Sequence, residues 1–119
     1  MRPRSAKAKG KRLQNKVTKL LQEKYSSVLE KGDFKSTTMG EHGMDVQLSP
    51  SARKIFPFAI ECKNQEALNI WKAYKQAEEN CKGYEPLAVI KRNHHKPLAV
   101  VDLEAFILLN RKDYDPNRR

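Results

Sequence analysis

The chain has 119 residues, 39% of them hydrophobic and 32% charged, a balance that fits one folded domain and excludes a largely disordered protein. No apolar run approaches the ~20 residues of a membrane span, and no apolar stretch follows the charged N-terminus, so neither a membrane protein nor a secretory signal is expected. Two cysteines, Cys62 and Cys81, make no disulfide framework, and a reduced, cytoplasmic setting is the expectation.

The net charge of +10 is concentrated at one end. Residues 1–24 hold nine cations (Arg2, Arg4, Lys7, Lys9, Lys11, Arg12, Lys16, Lys19 and Lys24) and one acid, Glu23. This segment therefore carries +8, and the rest of the chain only +2. A single-sign block repels itself until an anionic partner neutralises it. Nucleic acid fits because neutralised phosphates release counterions; a solubilising tail is the plainer alternative.

Residues 1–9 read as a flexible basic arm, 10–112 as one domain and 113–119 as a polar tail. From Lys11, the apolar Leu13, Val17, Leu20, Leu21 and Val28 recur at helical spacing, ended by Gly32. Residues 34–38 read as a short strand carrying Lys35, Thr37 and Thr38, followed by a glycine-containing loop, 39–43. Residues 44–49 alternate as a strand, 50–53 read as a turn, and 54–63 alternate again. Pro57 places the latter at an edge or at a strand's beginning.

Residues 65–82 read as a helix with Ala67, Ile70, Trp71, Tyr74, Ala77 and Cys81 on its core side. That places Trp71 and Tyr74 inside rather than on a base-stacking platform, and puts Gln76 on the other side. Runs at 87–92 and 97–101 form a hairpin whose tip holds His94 and His95 among Lys91, Arg92 and Lys96. The tip reads as an ordinary polar turn or a phosphate contact; zinc would need more ligands. Asp102 caps a last helix, 103–111. The order α-β-β-β-α-β-β-α predicts an α/β fold, α+β-like in its mixed central sheet flanked by helices.

The chemistry concentrates on the second and third strands. Residues two apart share a strand face, so Glu61 and Lys63 project together. If the intervening turn centres on Arg53, Asp45 lies opposite Glu61; if on Ala52, one diagonal away. Two facing carboxylates suit a hard cation such as Mg²⁺, with the Cys62 main-chain carbonyl as a third oxygen. Such an ion activates water and neutralises phosphate charge, and Lys63 would stabilise charge developing on phosphorus. The competing reading is a solvated cross-strand ion pair worth about 0–1 kcal/mol.

Taken in order, these segments resemble the PD-(D/E)xK nuclease superfamily, and within it the archaeal-type and phage Holliday junction resolvases, over about residues 9–108. Lys9-Gly10-Lys11-Arg12-Leu13-Gln14 is similar to the family's basic opening of its first helix. Gly43-Met44-Asp45-Val46 is similar to its Gly-x-Asp motif, and Ile60-Glu61-Cys62-Lys63 to its E-x-K. Tyr74-Lys75-Gln76-Ala77 resembles its glutamine motif, and residues 86–91 its next strand, giving a restriction-endonuclease-like core.

The resemblance implies a Mg²⁺-dependent (or Mn²⁺-dependent) endonuclease that cuts branched DNA, a four-way junction foremost, as a homodimer. Asp45 and Glu61 would be metal ligands, Lys63 catalytic, Gln76 a site residue, and Thr37 or Thr38 a hydroxyl beside the scissile phosphate. One departure stands out. Related resolvases carry a glutamate where this chain has Gln14, which adds no negative charge; Glu41 is a substitute from the loop. A non-catalytic basic DNA-binding protein, and a nuclease for flaps, nicks or duplex ends, remain alternatives. The apolar Phe106, Ile107, Leu108 and Leu109 exceed what one buried helix face needs and offer a dimer surface.

Overall fold

A computed structural model describes residues 3–37 and 44–111. Helix α1 (Pro3–Lys24) starts well before Lys11, because Pro3 suits a first helical turn and the alternating Ala and Lys after it favour helix. Contacts hold its start in place. Asn64 donates its amide to the Lys9 carbonyl at 3.2 Å, and the Lys9 side chain is buried. The segment expected to be a loose arm is thus helical from Pro3 and docked on the domain by residue 9.

A 3₁₀ turn (Lys31–Asp33) leads into β1 (Phe34–Ser36), and β2 (Val46–Leu48) follows the loop. Next comes a short helix, α2 (Pro50–Ile55), where the sequence suggested a turn and the start of a strand. Its signal is nonetheless present: Ser49 accepts from the Ala52 N–H at 3.1 Å, and Pro50 occupies the first turn. Strand β3 (Phe58–Asn64) therefore begins only after Pro57. Helix α3 (Ile70–Glu79), β4 (Glu85–Lys91), β5 (Leu98–Val101) and α4 (Leu103–Leu109) complete the chain.

The fold is α/β, with helices flanking one mixed sheet in the order β1-β2-β3-β4-β5. All neighbours are antiparallel except β3 and β4, which run parallel with Lys63 beside Ile90 and Asn64 beside Lys91. A parallel pair needs a crossover, and α3 supplies it. Helices cover both faces of the central strand, so β3 is buried from Phe58 to Cys62 rather than on alternate residues. On one face, Leu13 and Val17 of α1 meet Phe34, Val46, Phe58, Ile60 and Cys62. Tyr25 and Phe56 extend this cluster with tilted and edge-on ring contacts.

The other face is built from small residues. Ala73 and Ala77 of α3 are buried, as are Ala59 and Ala88 of the strands beneath. Alanine lets the helix settle close to the sheet. The expected apolar stripe holds at Ala77, with Tyr74 and Cys81 half-buried, but fails at its start: Trp71 is 85% exposed and Ile70 45%. None of the described helices is long and apolar enough to cross a membrane.

Candidate functional site

The C-terminal half of β3 is where the predicted residues meet. Val46 pairs with Ile60, the register that sets Asp45 against Glu61. Just beyond that pair the regular ladder gives way. The Asp45 N–H donates to the Ile60 carbonyl at 2.9 Å, and the Asp45 carboxylate accepts the Cys62 N–H at 2.6 Å. A side chain thus replaces a main-chain partner and is fixed against β3. An N–H and C=O on one strand residue face the same neighbour, so the Cys62 carbonyl is turned toward Asp45's side.

Glu61 projects from the face that α3 covers, and only 5% of it is exposed. Its Oε2 is buried without a hydrogen-bond partner. Burial, reinforced by the nearby Asp45 charge, raises its pKa to about 7, against smaller opposing pulls from Lys63 and the Asn80 side chain. Asp45 is raised too, mainly by burial; its bond from Cys62 and the charges of Lys63 and Lys11 act the other way. Burial raises both carboxyls, with the Asp45 charge adding to the shift at Glu61, a pattern common at functional sites and also found in structural charge networks. Among the described residues Lys63 makes no ion pair within 4 Å, so the solvated cross-strand ion pair is not what forms here.

Lys63 and Gln76 line one open hollow of about 340 Å³ together with Asn69 and Lys72. Gln76 thus shares a hollow with Lys63 across the small-residue contact of α3, while neither Asp45 nor Glu61 lines it. Asn80, at the end of α3, approaches Glu61 with no signal in the sequence beyond its place after the helix.

Gln14 is also drawn toward this end of the sheet, but its amide is committed to the scaffold. It is buried and donates to the Ser36 hydroxyl at 2.8 Å and the Thr37 carbonyl at 2.6 Å. Lys11 reaches the same two acceptors at 3.2 and 3.1 Å. Thr37 departs from expectation. It is buried, and its hydroxyl donates to the Met44 carbonyl at 2.5 Å, tying the ends of β1 and β2 together rather than facing a phosphate.

Among the basic residues, Lys7, Arg12 and Lys35 are exposed, whereas Lys9 is buried and ion-paired to Glu66 at 3.8 Å. Arg2, Thr38, Glu41, Gly43 and the Arg4 side chain lie outside the described residues. Cys62 keeps its thiol in the core, where burial pushes its pKa up. Among the described residues no group of three or more His, Cys, Asp or Glu side chains converges, so Asp45 and Glu61 stand as a pair. Comparison of the chain with protein-family models, curated proteins and solved structures finds no match.

Proposed function

We propose that the protein is a metal-dependent endonuclease acting on branched DNA, a four-way junction foremost. The observation that carries this reading is the pairing of buried Glu61, one of its carboxylate oxygens orphaned, with half-buried Asp45, and Lys63 near both. An unpartnered buried oxygen is costly unless something positive arrives. The donor set, two carboxylates and the Cys62 main-chain carbonyl, is all oxygen and suits Mg²⁺ or Mn²⁺. When bound, such an ion supplies water activation and charge neutralisation at a phosphate oxygen.

The chain's own residues do the rest. The Cys62 N–H holds Asp45 in one orientation. Lys63 faces the hollow with its ammonium unpaired by either carboxylate, in place to stabilise negative charge developing on phosphorus. Gln76, on the same hollow, offers a neutral donor and acceptor to orient a phosphate or a water. Lys7, Arg12 and Lys35 supply exposed positive charge for strand binding, which positions DNA without reading its sequence.

A second copy fits the reading. A four-way junction has near two-fold symmetry and needs two nicks, which an isologous dimer provides. Segment 98–109 holds two acids and no cation in a chain with 24 cations, so two basic molecules can approach there. On α4, the side chains of Leu103, Phe106, Ile107 and Leu108 are all exposed.

A cleavage panel over junction, flap, duplex and single strand, with Mg²⁺ and with chelator, tests the proposal. Junction cleavage that requires the ion and is lost in Asp45→Asn and Glu61→Gln is the expected result. The commitment of Gln14 to main-chain and hydroxyl acceptors, with no third carboxylate among the described residues, favours one second reading: a non-catalytic DNA binder. Binding that falls steeply with salt, persists in chelator and yields no product would establish that instead.

A further inference from the structure

One strand beyond the candidate site, the sheet carries a second hollow that the proposed reaction does not use. Its volume is about 260 Å³, and its walls are Leu68, Ile70, Ile90 and Leu98. Three cations, Lys91, Arg92 and Lys96, stand round it, with His95. Two of the wall residues are wasteful as scaffold: Ile70 is 45% exposed and Leu98 57%. An apolar floor inside a cationic rim is an unusual pairing. It repels a basic protein segment and offers a membrane no continuous face, but it matches a ligand that is flat and apolar in one part and anionic in the next.

The hollow is also built to keep its shape. At the hairpin tip, the Asn93 N–H donates to Glu66 at 2.6 Å, and the Gln65 N–H donates to the Lys91 carbonyl at 3.0 Å. Glu66 is itself paired to Lys9 of α1. Three separate segments therefore fix the tip, and the Glu66 carboxylate is occupied by these contacts on the tip. Pockets for drug-sized ligands run from about 300 Å³ upward, so this one suits a single heterocycle. It shares the Leu68 wall with the hollow that holds Lys63 and Gln76, and Ile90 is the register partner of Lys63 on the neighbouring strand, so the two hollows adjoin.

We infer that this second hollow receives an unstacked nucleobase of the DNA strand that crosses the candidate site, with the flanking phosphates on Lys91, Arg92 and Lys96. The inference rests on the nuclease reading for the strand's path and adds to it a preference: the strand must be unpaired next to the cut, as at a branch point. Base burial against aliphatic walls and an arginine plane is tolerant of sequence because every base has a flat face.

The test needs neither metal nor cleavage. The full chain is titrated in chelator with a single-stranded oligonucleotide and with an abasic strand of equal length, which carries the same phosphates without bases. The expected result is about tenfold tighter binding of the base-bearing strand. Leu98→Asn, a neutral change at an exposed position, should erase that difference while leaving abasic binding within about twofold. Lys96→Ala should weaken both strands and reduce the salt slope by about one. Equal binding of the two strands by the unmodified protein would overturn the inference, and so would a preference that survives Leu98→Asn. Binding of neither strand would overturn the inference and leave the nuclease reading to the junction-cleavage panel. Base preference in a protein that cleaves nothing would leave the inference standing and remove only the nuclease, whereas junction cleavage without base preference would do the reverse.

Discussion

The two ends of the sheet treat burial in opposite ways. At the β1–β3 end, charged and polar groups are taken out of water: Glu61, Lys9, Gln14 and Thr37 are all buried. At the β5 end, apolar groups are left in water, with Leu98, Leu103, Phe106 and Ile107 each more than half exposed. Neither arrangement stabilises the isolated chain. Burying an ionised carboxylate opposes folding, and leaving a leucine exposed forfeits roughly 1.5–3 kcal/mol that its burial would supply. The contrast teaches that each end gives up stability in its own way; on the proposed reading, the buried carboxylate would meet a cation at one end and the exposed side chains of α4 a second copy of the chain at the other.

The sharpest break of this comparison is Glu61→Gln. It should reduce junction cleavage on the order of 10³-fold, because a charged ligand becomes neutral. The same change should stabilise the fold at alkaline pH. A carboxylate raised from 4.5 to about 7 stabilises the native state fully below pH 4.5 and loses that contribution as pH climbs through 7. The unmodified protein should therefore lose stability between pH 4.5 and 7 more steeply than the variant. At pH 8 the variant should be more stable by about 2 kcal/mol, read by denaturant melts at several pH values. A variant that is both inactive and less stable at pH 8 would make Glu61 an ordinary structural acid.

Divalent cation should act on the same end without mutation. At pH 8, Mg²⁺ or Mn²⁺ at a hundred times its dissociation constant should stabilise the unmodified protein by about 2.7 kcal/mol. Asp45→Asn should lose most of that gain in a thermal-shift titration. An equal shift in both proteins would place ion binding elsewhere.

At the other end, Phe106→Asp with Ile107→Asp should leave the fold intact, since both side chains are exposed. It should weaken self-association at least about tenfold, a change of 1.4 kcal/mol or more, measured by sedimentation across a concentration series. Unchanged self-association would move the interface off α4; an unmodified protein that is monomeric throughout would remove the dimer.

Much of this contrast was legible in the amino-acid order. Alternation around Asp45 and Glu61 gave the strands, and one of the two turn placements gave the register that forms. That register forms even though the connection is the helix α2, over residues whose sequence suggests a turn at 50–53 and the start of a strand. The docking of α1 from its first turns was not legible. It depends on Asn64 reaching the Lys9 carbonyl, a contact 55 positions apart in the chain. The fate of Thr37 and Gln14 was hidden for the same reason: spacing says which residues share an element, but not which distant acceptor takes a hydroxyl or an amide.

Trp71 shows the limit most clearly, and its substitution carries the smallest expected effect. Helical spacing groups Trp71 with Ile70, Tyr74 and Ala77 because it counts every apolar side chain alike. Contact geometry separates them by size: side chains as small as Ala73 and Ala77 let α3 approach Ala59 and Ala88, and the bulky ring lies outward. Were Trp71 in the core, Trp71→Ala would cost about 3–5 kcal/mol in cavity and lost transfer energy. At 85% exposure it should change stability by no more than about 0.5 kcal/mol in a denaturant melt. A loss of several kcal/mol would return α3 to the orientation that hydropathy alone suggests. Gln76 would then turn away from Lys63, and the site would lose the face that α3 lends it.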